Sequence, residues 1–202
     1  VILLFFSILV NQYYGFLGLY PLDSLIFFNS GYEVLNGYFP FKDYWTLTGP
    51  FIDFIQALFF KMFGVSWFSY VFHASIFNFI FSVSIFFTLY RFKLSVHYCF
   101  FYAFLVSIIA YPSSGTPYVD HQSSFLCVMA VFCFILALKT NLKKYWLILP
   151  IILGIAFLTK QAPTGHFILI IAFLSSIYFV FHFDKKKIIF FIYGLVIFFL
   201  IF

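Results

Sequence analysis

Asp23, Glu33, Asp43 and Asp53 stand within residues 23–53, and Asp120 stands apart between long apolar runs, in a 202-residue chain that is 65% hydrophobic and 8% charged. Ionisable side chains are costly beside lipid and tend to persist there for function. A carboxylate partly buried at a lipid surface has its pKa raised and can take a proton from a hydroxyl. Asp23, just after the first apolar run, is the candidate for that role; its competing role is to cap the following helix, worth ~1 kcal/mol. A lysine at a helix end can hold a phosphate as a point charge. Lys160 is the candidate here, with snorkelling to headgroups as its competing role. A base for an incoming hydroxyl and a cation for a departing phosphate are the two ends of a group transfer.

These groups must be positioned by membrane helices. A mean hydropathy of +1.10 leaves too little polar surface for a soluble globule, and 37 Phe with 15 Tyr point the same way. The Phe excess marks no particular side chain as a lipid contact. The pI near 9.0 does not indicate nucleic acid, because the 11 basic residues sit in small groups beside apolar runs. Cys99, Cys127 and Cys133 lie in apolar segments without metal-ligand spacing or a disulfide pattern, and His73, His97, His166 and His182 also lack ligand spacing. The chain begins without Met and stops inside an apolar run, so it reads as a fragment of a longer protein.

The expected fold is all-α, polytopic and transmembrane. Spans are expected over residues 1–20, 67–90, 94–111, 124–138, 145–158, 166–181 and 188–202, the last cut short, all in one membrane domain. Residues 24–36 and 50–63 are too polar and too short to span. Asp53, Gln56 and Lys61 recur on one face of the second segment, opposite Phe, Ile and Leu, so two interfacial helices are expected in a first loop covering residues 21–64. Arg91 and Lys93, then Lys139, Lys143 and Lys144, then Lys185, Lys186 and Lys187 occupy alternate connections, which makes that side cytoplasmic. Asp23, Asp43, Asp120 and Lys160 then share the extracytoplasmic face, provided that residues 50–63 do not cross the membrane.

A first helix followed by Pro21-Leu-Asp-Ser, then Gly31-Tyr-Glu-Val-Leu-Asn-Gly-Tyr-Phe-Pro-Phe-Lys-Asp-Tyr-Trp, then Thr48-Gly-Pro and an apolar stretch ending Phe63-Gly64, resembles the GT-C glycosyltransferases. The likeness is to the branch holding protein O-mannosyltransferases and the aminoarabinose transferase of lipid A. Pro117-Tyr-Val-Asp-His and Gly154-Ile-Ala-Phe-Leu-Thr-Lys-Gln extend it in order along the chain. The resemblance implies a polyprenyl-phosphate sugar donor, a lipid, glycan or protein acceptor on the extracytoplasmic side, and transfer with inversion. It also implies an integral membrane protein of the bacterial inner membrane with a periplasmic active face, and no nucleic-acid partner.

On that resemblance Asp23 and Asp120 are the candidate catalytic acids. Asp23 is the base, and Asp120 orients the acceptor or binds a divalent ion; capping a helix that starts near Ser123 is the other role open to Asp120. Lys160, Lys42, Asp43, Tyr44, His121 and Gln161 are the candidate substrate-binding residues. No particular cofactor is implied, and a divalent metal ion is left open, with Asp120 and His121 as its candidate ligands. The family often carries a second acid directly after the first; here that position is Ser24, which weakens a two-carboxylate role and the case for metal binding at this point. Tyr44 and Trp45 suit stacking on a sugar, and Trp45 equally suits the interfacial aromatic belt. The competing class is a transporter or flippase of lipid-linked saccharides, whose carboxylates would lie in mid-span. A membrane scaffold would need no acidic first loop.

Overall fold

Every apolar run folds as a helix, because a helix alone satisfies its own backbone hydrogen bonds away from water. The computed structural model describes residues 1–19, 23–46, 48–111 and 115–201, with the side chains of residues 23, 24 and 201 outside that description. The order is α1 (Ile2–Leu17), α2 (Asp23–Leu35), α3 (Phe51–Phe63), α4 (Trp67–Arg91), α5 (Val96–Ile109), α6 (Val119–Lys139), α7 (Lys144–Thr159), α8 (Gln161–Phe181) and α9 (Lys185–Ile201). Among the described residues there is no strand, only an isolated bridge between Pro40 and Tyr44. The expected all-helical membrane architecture is therefore observed. By length and composition α4, α6 and α8 can cross a bilayer, while α1, α5 and α7 are apolar but shorter.

The chain forms two compact units, Val1–Gln122 and Ser123–Phe202. In the first, α1, α4 and α5 pack together and α2 pairs with α3, which rests on α4. Trp67 Nε1 donates to the Gly15 carbonyl at 2.8 Å, and Gln12 Nε2 donates to the Phe68 carbonyl. These bonds join the end of α1 to the start of α4. The intervening α2 and α3 therefore leave and re-enter the helical layer at the same end, and α3 does not carry the chain to the opposite one.

A polar ladder runs inside this layer. Asn78 Nδ2 donates to Asn11 Oδ1 at 2.9 Å and to the Ser107 carbonyl at 2.8 Å, and Asn11 Nδ2 donates to the Gly115 carbonyl at 3.3 Å. Asn11, which breaks the first apolar run in sequence, is thus fully buried among partners. Gly115 has φ +63, and a Cβ there would collide with the Asn11 carbonyl and the Gly15 backbone. Only glycine fits this left-handed close approach. It places the α5–α6 connection at the end where α1 stops and α4 starts.

In the second unit Ala130, Cys133, Phe134, Ala137, Trp146, Leu149, Leu153 and Ile171 form the core, with Trp146 stacked on Tyr178 at 5.3 Å. Gly194 lets α9 close on the Leu147 carbonyl and Pro150 of α7.

Two sequence expectations need correction. The helix expected over 124–138 starts at Val119, so Asp120 and His121 lie in its first turn and not in the loop before it. Tertiary contact drives this extension: Val119 packs with Phe27, Ile52, Phe60 and Tyr70, which offsets the modest helix propensity of a polar first turn. The polar face of α3 is solvated only at Lys61. Asp53 and Gln56 are fully buried, whereas Leu58, Met62 and Phe63 are exposed.

Candidate functional site

The starts of α2 and α6 meet on one apolar cluster. Phe27, one turn into α2, packs with Ile52 and Phe60 of α3, Tyr70 of α4 and Val119 at the head of α6. The backbone of Asp23 opens α2, and Asp120 follows Val119 directly. The two candidate acids thus start helices at the same end of the first unit, although 97 positions separate them in sequence. The side chain of Asp23, together with Pro21 and Leu22 of its motif, lies outside the described residues. His121 sits between the rings of Tyr111 and Tyr118, with centroids 5.1 and 5.5 Å away.

A buried relay pins this first turn of α6. His73 Nδ1 donates to Gln56 Oε1 at 2.8 Å, which leaves His73 Nε2 to accept from Gln122 Nε2 at 3.1 Å. A carbonyl oxygen can only accept, so the pair of contacts fixes the neutral Nδ1–H tautomer. All three side chains are fully buried. His73 has no ligand spacing in the sequence, and only the fold shows what it joins: α3, α4 and the turn that carries Asp120.

Lys42, Asp43 and Tyr44 lie in the connection between α2 and α3. Lys42 has 79% of its side chain exposed, and its Nζ stands 4.0 Å from the Asp43 carboxylate. Asp43 also accepts the Phe39 N–H at 2.8 Å, so it shapes its own loop. Tyr44 turns inward, where its hydroxyl donates to Asp53 Oδ2 at 2.9 Å. Ser30 Oγ donates to Asp53 Oδ1 at 2.7 Å, and the Thr46 hydroxyl bonds the same carboxyl. Burial pushes the Asp53 pKa up, while the hydrogen bonds from Ser30, Tyr44 and Thr46 pull it back down. Burial, and then the negative charge of Asp53, push the Tyr44 phenol well above its ordinary range. The sequence puts Asp53 on the polar face of an interfacial helix, and its i, i+3 spacing with Gln56 is equally consistent with an inward one.

Lys160 and Gln161 belong to the second unit, at the junction where α7 ends and α8 begins, with Gln161 exposed. Phe157, about one turn before Lys160, lines an apolar cavity of about 410 Å³ among α7, α8 and α9, together with Leu153, Gly154, Ile168, Phe191 and Phe198. Among the described residues, no three His, Cys, Asp or Glu side chains gather as a metal-binding group. Asp120 and His121 therefore gather no third such ligand among the described residues.

Apolar helices, three of them long enough to span, mark an integral membrane protein. Residues 48–202 match the family model described as dolichyl-phosphate-mannose-protein mannosyltransferase. The chain belongs to that family, of membrane mannosyltransferase-type glycosyltransferases, whose donor is a lipid-linked sugar. The match includes Asp120, His121, Lys160 and Gln161, and leaves out Asp23, Lys42, Asp43 and Tyr44. A search of the curated proteins and a search of the solved structures each found no match.

Proposed function

We propose that the protein moves a sugar from a polyprenyl-phosphate donor to an acceptor hydroxyl on the extracytoplasmic side of the membrane, with inversion at the sugar. The family match over residues 48–202 carries this reading. The arrangement of α1 to α4 supports it, because it keeps Asp23 and Asp120 at one end of the first unit. A bacterial inner membrane with a periplasmic active face is part of the proposal, as are the interfacial placement of α2 and α3 and the remaining membrane spans.

In the proposed reaction the Asp23 carboxylate takes the proton of the acceptor hydroxyl as its oxygen forms a bond to C1 of the sugar. The bond from C1 to the phosphate oxygen breaks on the opposite face, in a single displacement. The electron pair leaves with polyprenyl phosphate, whose charge is met by Lys160. Asp120 orients the acceptor. Lys42, Asp43, Tyr44, His121 and Gln161 complete the substrate contacts, those of Tyr44 made by its ring, since its hydroxyl is held by Asp53. The apolar cavity beside Phe157 offers an isoprenoid tail a place one turn from Lys160.

The test is Asp23→Asn in the full-length protein, with transfer from a polyprenyl-phosphate sugar followed by mass analysis of the acceptor. Asn keeps the capping capacity and loses the base. Transfer is expected to fall at least a hundredfold with membrane insertion intact. Turnover near that of the wild type would remove Asp23 from the mechanism.

A further inference from the structure

Asp53 is a fully buried acid that the proposed chemistry does not use. Its carboxyl draws hydroxyls from three places: Ser30 on α2 at 2.7 Å, Tyr44 at 2.9 Å, and Thr46, itself 5% exposed. Asp53 is the third residue of α3, where the helix dipole favours negative charge. The groups that act on its carboxyl are these three hydroxyls, and among the described residues no lysine or arginine forms an ion pair with it. A buried acid held by neutral hydroxyls is a poor way to gain stability and a good way to fix a geometry.

What it fixes is the loop that follows α2. That loop is closed on itself: Gly37 turns out of α2 with φ +90, the Phe41 N–H donates to the Tyr44 carbonyl at 2.9 Å, and Asp43 accepts the Phe39 N–H. Phe41 is held at φ +64 within it. Its side-chain polar attachments to α2 and α3 run through Tyr44 and Thr46 to Asp53, with a longer contact of 3.4 Å from the Tyr44 hydroxyl to the Ser30 carbonyl. A ring contact of Phe39 with Phe54, at 5.5 Å, adds an apolar one. At the outer side Lys42 and Trp45 are exposed.

We propose that Asp53 is a positioning residue: it clamps the 37–46 loop to α2 and α3 so that Lys42 is held ready for the phosphate-bearing donor. The consequence for donor binding rests on the transferase reading, whereas the clamp itself does not. Asp53 touches no reacting atom and acts through Tyr44 and Thr46.

The experiment uses the full-length protein in lipid nanodiscs and two readouts. Trypsin cleavage after the exposed Lys42 reports loop release, and steady-state kinetics with a polyprenyl-phosphate sugar reports donor binding. Asp53→Ala is expected to speed cleavage at Lys42 about tenfold and to raise the donor KM about tenfold with kcat within threefold. Asp53→Asn, which keeps an acceptor for Tyr44, is expected to restore both to within threefold of the wild type. Tyr44→Phe combined with Thr46→Val cuts the same bonds from the loop side and replaces Asp53→Ala if that variant does not fold. Cleavage and donor KM within twofold of the wild type in a folded clamp variant would overturn the proposal, as would a fall in kcat with KM unchanged. A wild-type protein that transfers no sugar would sink the transferase reading alone, and cleavage at Lys42 would still decide the clamp.

Discussion

Replacing His73 by Phe should cost roughly 2–4 kcal/mol of stability, most of it from stranding two buried amides rather than from lost packing. The ring contacts survive the substitution, since His73 stacks on Phe59 at 5.1 Å and meets Phe77 edge-on at 5.2 Å. What disappears is the 2.8 Å bond to Gln56 and the 3.1 Å bond from Gln122. At the ~0.6 kcal/mol typical of side-chain bonds within membrane proteins, the two give roughly 1.2 kcal/mol as a lower bound. Full desolvation of the abandoned Gln56 oxygen and Gln122 amide, at about 1–3 kcal/mol each, sets an upper bound of roughly 6 kcal/mol. The decisive comparison is the triple variant His73→Phe, Gln56→Leu, Gln122→Leu, in which every partner becomes apolar. It should regain at least half of the loss, because neither amide is left stranded, the remaining cost being the bond that the buried Tyr111 hydroxyl loses with Gln122. Reversible unfolding of the full-length protein in mixed detergent micelles measures both. Since Gln122 lies in the turn that carries Asp120, His73→Phe should also slow transfer about tenfold to a hundredfold by displacing that turn. A stability change below about 0.5 kcal/mol for His73→Phe, or a triple variant less stable than the single one, would refute the reasoning.

Three other outcomes follow from the same structure. Gly115→Ala should destabilise the first unit by about 2–4 kcal/mol, from left-handed strain and the clash with the Asn11 carbonyl, as read from the unfolding midpoint. Burial raises the Asp53 pKa, so the folded protein holds this proton to higher pH than the unfolded chain does, and stability should decline as pH rises from about 4. Asp53→Asn should flatten that slope in denaturation measured across the range, with Glu33, Tyr44 and Tyr70 as the other titratable groups near the site. Lys160→Ala should raise the donor KM about tenfold while Lys160→Arg stays within threefold, if a point charge is what the phosphate needs.

The sequence carried the helical membrane class because hydropathy and basic-residue spacing are local signals that tertiary contacts cannot easily override. It could not say which way α3 faces. Asp53, Gln56 and Lys61 share a helical face, yet only the packing of α2 and α4 turns Asp53 and Gln56 inward and leaves Lys61 outside. The start of α6 was hidden for a related reason: Val119 joins the helix through contacts with residues 49 to 92 positions away, and a window along the chain cannot contain them. His73 was illegible because its partners, Gln56 and Gln122, come from two other helices.

Sealed proteoliposomes of the full-length protein, supplied with a polyprenyl-phosphate sugar labelled in the sugar and with candidate acceptors, test the central claim most directly. The label is followed to its final covalent position. Glycosyl transfer predicts labelled acceptor and free polyprenyl phosphate in equal amounts, lost together in Asp23→Asn. Labelled sugar that stays on its lipid phosphate and moves intact between leaflets would contradict it and favour a transporter.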